Sequence, residues 1–330
     1  MATIAIRCKA SFTTGMGHVY RQLHLAKVLR DRDMEIRFFI SDHPPSIDLL
    51  KAENFLPEIV NKEEGLPKTV EDRFDLIVLD IQDTTQEFIS SLRRRAKRIV
   101  SFENLGTGRN FVDLLIDCNL EPIASRQVRP KVKPLFGLAY SVLDPHFAEY
   151  HQRTKIFPPT LESLLVTMGG TDPNRLTLKL AEAFRRWKTE ISITFVVGPG
   201  FKETETLKTL TASLPSVRIL SNANNMAELL FNHQAVFCSG GVTLHEALAV
   251  GTPAFVISQV PHQREKTRPI ERLKAAIDLG LPEDFNPKKI SEILKISKSQ
   301  LENMSVKGKE LVDGKGIVRV ADEIQSLITG

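Results

Sequence analysis

Three glycine-containing stretches carry the residue types that handle phosphates and protons. The first is TTGMGHVYR, residues 13–21. Gly15 and Gly17 let the backbone turn tightly and leave room for a ligand beside it. His18 falls in the first turn of a helix predicted by the spacing of Val19, Leu23, Ala26 and Leu29. The positive end of that helix disfavours an imidazolium, so a neutral His18 able to accept a proton is expected. A histidine that only hydrogen-bonds the turn fits the same residues. The stretch lacks the GK[ST] ending of a P-loop and the third glycine of GxGxxG, and no acidic residue closes the next strand for a ribose.

The second stretch, LLVTMGGTDPNRLT (164–177), reads as a strand, a glycine pair and a polar run before a helix. Gly169 and Gly170 can bring amides near an anion, and Thr171, Asp172 and Asn174 can face it or cap the helix. The third, VFCSGGVTLHEALAVGTPAFVI (236–257), is the most informative. Ser239, Gly240, Gly241, Val242 and Thr243 open a helix, where small residues expose several free N–H groups to a diphosphate. Glu246 lies one turn further on, near the face of Thr243, and can accept two ribose hydroxyls. SQVPHQ then brings His262 and Gln263 to the end of the next strand. Together these residues predict a nucleotide-diphosphate site.

Other groupings point elsewhere. DRD (31–33) mimics a metal-binding pair but follows an amphipathic helix in a turn, which predicts solvent exposure. Asp80 and Asp83 end a strand, where they face a ligand or cap the next helix. His146 and His151 have no third ligand in view. RRRAKR (93–98) sits between a helix end and a strand, where cations suit the helix dipole on a solvated face, or form a patch for a membrane or a polyanion. Neither GxSxG nor HExxH occurs, and no metal or cofactor is expected.

The elements that must position these residues alternate along the chain. Strands are predicted at 4–10, 35–41, 75–81, 98–103 and 114–117, and again at 164–170, 192–200, 217–220, 235–241 and 253–258. A helix is predicted from Leu176 to Trp187, and the last forty or so residues read as helical and amphipathic. Strands alternating with helices give parallel sheets. The polar HQRTKIFPPT (151–160), with Pro158 and Pro159, reads as a linker. The expected architecture is thus two α/β domains, 1–155 and 156–330, with a ligand at the carboxyl ends of the strands and in the cleft between the domains.

Composition agrees with this reading. The 330 residues are 42% hydrophobic and 25% charged, enough for two cores. A net charge of +4 suits an anionic small molecule or an anionic membrane surface as readily as nucleic acid. Cys8, Cys118 and Cys238 are far apart, which argues against a disulfide framework and for a reducing, cytoplasmic setting. Arg7 and Lys9 interrupt the first apolar stretch, so no signal peptide is read there. ALAVGTPAFVISQV is too short to span a bilayer.

The same residues resemble a family. GMGHVYR resembles the GxGHxxR opening of the UDP-sugar hydrolases of pseudaminic acid biosynthesis and of their spore-coat polysaccharide relatives. TMGGTDPNRLT, LFGLAYSVLDPHF and VDGKGIVRVADEI resemble later segments of that group. CSGGVTLHEALAVGTPAFVI also resembles the nucleotide site of the peptidoglycan N-acetylglucosaminyltransferase. The resemblance covers roughly 1–325 and implies the GT-B fold, two Rossmann-like domains facing each other across a cleft. It implies a UDP-sugar as partner rather than nucleic acid. It makes His18 a general base in the N-terminal, sugar-side domain, Gly241 and Thr243 part of the pyrophosphate loop, Glu246 the ribose ligand and Gln263 a polar contact near the nucleotide.

The chain also departs from the pattern. Glu103 and Asn104 stand where a pair of aspartates is the rule, Asp144 stands in place of an arginine, and TLHEAL lacks a tryptophan. Three functions follow: a hydrolase releasing UDP by water attack at the anomeric carbon, a transferase or epimerase of the same fold, or a non-catalytic nucleotide-sugar-binding protein. The sugar and the oligomeric state are not read from these residues.

Overall fold

The computed structural model describes residues 1–9, 16–60, 65–67, 73–121, 128–187, 190–221, 223 and 225–330. The chain divides into two compact units, Met1–Asp144 with Lys315–Gly330, and Pro145–Gly314.

The first unit starts from β1 (Thr3–Cys8), α1 (Gly17–Arg30), β2 (Glu35–Ile40), α2 (Pro44–Ala52) and β3 (Glu58–Ile59). It continues through β4 (Phe74–Asp80), α3 (Gln86–Arg93), β5 (Ala96–Phe102), β6 (Leu114–Asp117) and β7 (Lys133–Phe136). Its strands pair in parallel in the order β3-β2-β1-β4-β5-β6-β7. Both faces of the sheet are buried, which is why its strands read as near-continuous apolar runs. Along β1, Ile4, Ile6 and Cys8 face the cluster built with Val19, Leu23 and Ala26 of α1. Ala5 faces the opposite cluster with Ile77, Leu79 and Ile89.

The second unit runs α4 (His146–His151), β8 (Ser163–Thr167), α5 (Leu176–Arg186), β9 (Ser192–Val197), α6 (Thr204–Thr211), β10 (Val217–Ser221) and α7 (Met226–Asn232). Then come β11 (Ala235–Cys238), α8 (Val242–Ala249), β12 (Ala254–Val256), α9 (Pro261–Arg272), β13 (Ala276–Asp278), α10 (Pro287–Ile293) and α11 (Lys298–Leu311). The sheet order is β10-β9-β8-β11-β12-β13, again parallel. Phe184 of α5 packs edge-on against Phe195 and Phe237, with ring centroids 6.4 and 5.7 Å away.

The last helix, α12 (Gly316–Thr329), returns to the first unit. Its Ile317, Val320, Ala321 and Ile324 are buried in the cluster that holds α1. Gly316 lies so near the backbone of Ser141 that a β-carbon there would stand 2.2 Å from the Ser141 carbonyl oxygen. The boundary expected at 155/156 therefore falls at 144/145, and the second unit stops at Gly314. The reason lies in side chains of the presumed linker. Phe147 is buried, the Tyr150 ring packs on Phe231, and His151 Nδ1 donates to Ala249 O at 2.9 Å. Lys155 Nζ lies 3.0, 2.6 and 2.5 Å from the carbonyls of Leu230, Phe231 and His233, which end α7.

The edge strands β3, β7 and β13 were not foreseen: each is two to four residues long, and β7 contains Pro134, which only an edge accommodates. The basic run at 93–98 is an internally paired corner. Arg93 meets Asp113, Lys97 meets Asp75, and Arg95 donates to Pro67 O. Asp31 and Asp33 are exposed, as the turn reading of DRD requires. Among the described residues, no helix is long and apolar enough to cross a membrane.

Candidate functional site

The second sheet has the strand order 3-2-1-4-5-6 and the first the same order with a seventh strand added, so in both the crossover direction reverses beside the first strand. Ligands of such sheets bind at that reversal, beyond the carboxyl ends of the strands. In the first unit the reversal lies between β1 and β4, and in the second between β8 and β11.

At the first reversal, α1 opens with Gly17 and His18, and β4 ends with Asp80. His18, Arg21 and Gln22 share one face of α1 by their spacing of three and four. All three grip Asp80. His18 Nδ1 lies 2.6 Å from Asp80 Oδ1, Arg21 donates to the two carboxylate oxygens at 2.7 and 3.0 Å, and Gln22 Nε2 donates at 2.8 Å. Burial opposes the charge of Asp80, but Arg21 and His18 overcome it and hold the carboxyl well below the usual carboxylate range. An ionised carboxylate only accepts, so Nδ1 carries the proton and donates. Arg21 NH2 also lies 3.3 Å from Nδ1. Two donors do not bond each other, and that NH2 has its acceptor in Asp80 Oδ1. The consequence is a fixed tautomer: in the neutral ring, Nε2 holds a lone pair. The His18 side chain is 27% exposed above an Asp80 that is 1% exposed, so the ring is reachable while its anchor is not.

The chain of contacts continues away from His18. Arg21 NH1 donates to Glu103 Oε1 at 2.7 Å, and the Cys118 thiol donates to the same oxygen at 3.0 Å. Glu103 has a φ of +44°, a left-handed conformation uncommon for a side-chain-bearing residue. Asn104 is buried and ties the next loop down: its Nδ2 reaches Thr84 Oγ1 at 2.5 Å, and its Oδ1 accepts from Gly106 N at 3.0 Å. Asp144, in the arginine position, lies 3.2 Å from His24 Nδ1 on α1.

Asp80 was legible only as facing a ligand or capping the next helix; it is held instead by His18, Arg21 and Gln22 and does not cap α3. The cap of α3 is Thr85, whose hydroxyl accepts from Phe88 N at 3.2 Å. Asp83 is exposed. Gly15 lies outside the described residues.

At the second reversal, Gly241 caps α8 without any side-chain hydrogen bond. The amides of the first turn, including Val242 and Thr243, therefore have no side-chain cap competing for them. Gly240 is buried: a β-carbon there would stand 2.7 Å from Thr267 Oγ1 and 3.0 Å from Gln263 O. At Gly241 the nearest atoms, Gln263 Nε2 and Ser239 Oγ, would be 3.8 Å away. Gly169, with φ +93°, also faces Ser239 Oγ, so the β8 and β11 loops meet. Thr243 and Glu246 are both half-buried. Gln263 Oε1 accepts from Gln259 N at 2.8 Å.

The other residues of TMGGTDPN are joints of the loop. Gly170 O accepts from Gly200 N at 3.0 Å, and Thr171 packs beside Gly200. Asp172 is buried, and its carboxylate accepts from Leu176 N, Thr177 N and Gln259 Nε2 at 2.9, 2.7 and 2.9 Å. It is a helix cap that also ties down the β12 loop. Asn174 Nδ2 donates to Gln259 Oε1 at 2.9 Å. Among the described residues, no three His, Cys, Asp or Glu side chains are grouped to hold a metal ion.

The chain as a whole resembles solved structures. MurG from Acinetobacter baumannii superposes with a TM-score of 0.68 over 99% of this chain and 100% of its own, at 15% identity. The chain has the GT-B fold. No protein-family model matches it. In sequence, the spore coat polysaccharide biosynthesis protein SpsG of Bacillus subtilis is 28% identical over 98% of both chains. The UDP-2,4-diacetamido-2,4,6-trideoxy-beta-L-altropyranose hydrolase of Campylobacter jejuni is 23% identical over 79% of this chain and 93% of its own. These likenesses bear out the resemblance carried by GMGHVYR and CSGGVTLHEAL.

Proposed function

We propose that this GT-B protein is a nucleotide-sugar hydrolase that releases UDP from a UDP-linked amino sugar, in the building of a surface polysaccharide or a nonulosonic acid. The observation that carries the reading is the His18–Asp80 pair. It leaves Nε2 of a reachable imidazole as the acceptor for a proton. Similarity to a hydrolase of a UDP-diacetamido sugar and to a spore coat polysaccharide protein supports the choice of substrate class.

In this mechanism a water oxygen bonds to the anomeric carbon while the bond from that carbon to the phosphate oxygen breaks, with inversion. The water proton passes to His18 Nε2, and the electron pair leaves with UDP. A positioned base of this kind contributes roughly 10²–10⁴ in rate. The amides of Gly241, Val242 and Thr243 take the charge that develops on the diphosphate. Gly169 and Ser239 shape the loop beside it. Glu246 accepts the ribose hydroxyls, and Gln263 lies near the nucleotide.

The test is UDP release from a panel of UDP-amino sugars with no acceptor present, in wild type and His18→Ala. Release that needs His18 establishes hydrolysis and identifies the sugar class. UDP binding without release removes the hydrolase reading in favour of transfer to an acceptor or a non-catalytic role.

A further inference from the structure

One side chain ties together the loops that meet beside the start of α8. Gln259, in the loop after β12, reaches the loop after β8: its Nε2 donates to Met168 O at 3.0 Å and to Asp172 Oδ1 at 2.9 Å. Its Oε1 and its backbone carbonyl both accept from Asn174 Nδ2, at 2.9 and 3.1 Å. Its backbone N–H donates at 2.8 Å to Oε1 of Gln263, in the first turn of α9. Backbone groups fix which way each amide of this network points, because a carbonyl only accepts and an N–H only donates. Met168 O requires the NH2 of Gln259. The Gln259 carbonyl requires the NH2 of Asn174, and Oε1 of Gln259 takes the second bond from it. The Gln259 N–H requires the oxygen of Gln263. The NH2 group of Gln263 is therefore turned away from the network, and a β-carbon on Gly241 would stand 3.8 Å from it.

The stem of Gln263 is pinned as well. A β-carbon on Gly240 would stand 3.1 Å from its Cβ, and its carbonyl accepts from Thr267 Oγ1 at 3.0 Å. The space in front of Gly241 thus receives a donor of fixed direction. It also receives the Ser239 hydroxyl. Ser239 is only 7% exposed, and its Oγ would stand 3.8 Å from a β-carbon on Gly241 and 3.8 Å from one on Gly169. Among the described residues, neither Ser239 Oγ nor Gln263 Nε2 donates to an acceptor. A buried hydroxyl left without a partner costs free energy that a ligand oxygen would recover. Two side-chain donors beside the uncapped amides of α8 suit the oxygens of a phosphate.

We propose that Gln259 is a positioning residue that, through Gln263, holds a side-chain NH2 group against a phosphate of the nucleotide at the start of α8. This deepens the reading of α8 as the nucleotide site and rests on it. The test is calorimetry with UDP and with uridine on wild type, Gln259→Leu, Gln263→Leu and the double variant. Gln263→Leu removes one hydrogen bond to a charged group, so UDP affinity should fall by about tenfold or more, with uridine affinity unchanged. Gln259→Leu keeps the Gln263 amide but frees it to turn, so UDP affinity should fall severalfold, again with uridine unchanged. Because Gln259 acts through Gln263, the double variant should bind UDP no more weakly than Gln263→Leu. Unchanged UDP affinity in Gln259→Leu overturns the proposal. So do equal losses for UDP and uridine, or losses that add in the double variant, since either marks Gln259 as a structural contact only. If Gln259→Leu does not fold, Asn174→Ala releases one side of Gln259 and is read in the same cycle, with the same outcomes. The expected losses in a protein that releases UDP from no sugar refute the hydrolase reading and leave the role of Gln259 standing. A wild type that binds no UDP overturns both.

Discussion

His18 Nδ1 and Asp80 Oδ1, 62 residues apart in sequence, lie 2.6 Å apart in the first unit. The contact decides which ring nitrogen carries the proton, and Arg21 and Gln22, from the same turn of α1, keep the carboxylate in place. A histidine at a helix start is common; one whose tautomer is fixed by a buried, ionised aspartate is prepared to accept a proton at its other nitrogen.

Asp80→Asn keeps the size of the side chain but offers an amide to the ring. Its NH2 group favours the opposite tautomer, so UDP release should fall by roughly 10²–10⁴ while UDP affinity stays the same. Rate assays paired with calorimetry check this, and unaltered turnover would remove the pair from the mechanism. The same carboxylate governs acid stability. Its folded value lies below its ordinary one, so its contribution is complete above about pH 4 and is lost as the pH falls below that towards the folded value. Between these limits wild type should lose stability more steeply than Asp80→Asn, as read by denaturant melts at stepped pH.

Glu246→Ala should weaken UDP binding without unfolding the second unit. Each ribose hydroxyl donating to a carboxylate corresponds to about 1.5–3 kcal/mol, so affinity should fall by roughly tenfold or more. Calorimetry with UDP is the check, and equal affinity in the variant would show that the ribose is held elsewhere.

Gly240 and Gly241 should respond in opposite ways to one added methyl group. At Gly240 the methyl meets Thr267 and Gln263 at contact-breaking distances, so Gly240→Ala should lower stability by about 1–3 kcal/mol. At Gly241 the nearest atoms are 3.8 Å away. Gly241→Ala should therefore cost no more than about 1 kcal/mol in stability. Its methyl would stand in front of the amides, and UDP affinity should drop by about tenfold or more, one charge-assisted hydrogen bond. Melting curves and calorimetry on both variants separate the two effects.

Much of the fold was legible because it rests on short-range pattern. The apolar runs at 4–10, 75–81 and 235–241 fall on the central strands β1, β4 and β11, the last ending three residues earlier than expected, at Cys238. The helix starts beside His18 and Gly241 were legible because glycine and the apolar spacing that follows mark them. What stayed hidden depends on partners distant in sequence. Nothing local marks Asp80 as the anchor of His18, or Glu103 as its continuation through Arg21. Asp172 read as either an anion-facing residue or a helix cap, because a buried cap and an exposed carboxylate share one local sequence; its hydrogen bonds to Leu176 N and Thr177 N make it a cap. Lys155 looked like part of a polar linker because the carbonyls it meets are 75 to 78 residues away.

The return of α12 to the first unit has a consequence for synthesis. Pro145–Gly314 holds its own core and can close as soon as it has left the ribosome. The sheet of Met1–Asp144 is made first, yet one side of its core stays open until Ile317, Val320 and Ile324 arrive. The half of the chain that bears His18 is therefore translated first and completed last, with apolar surface exposed for the whole interval in which the other half is made.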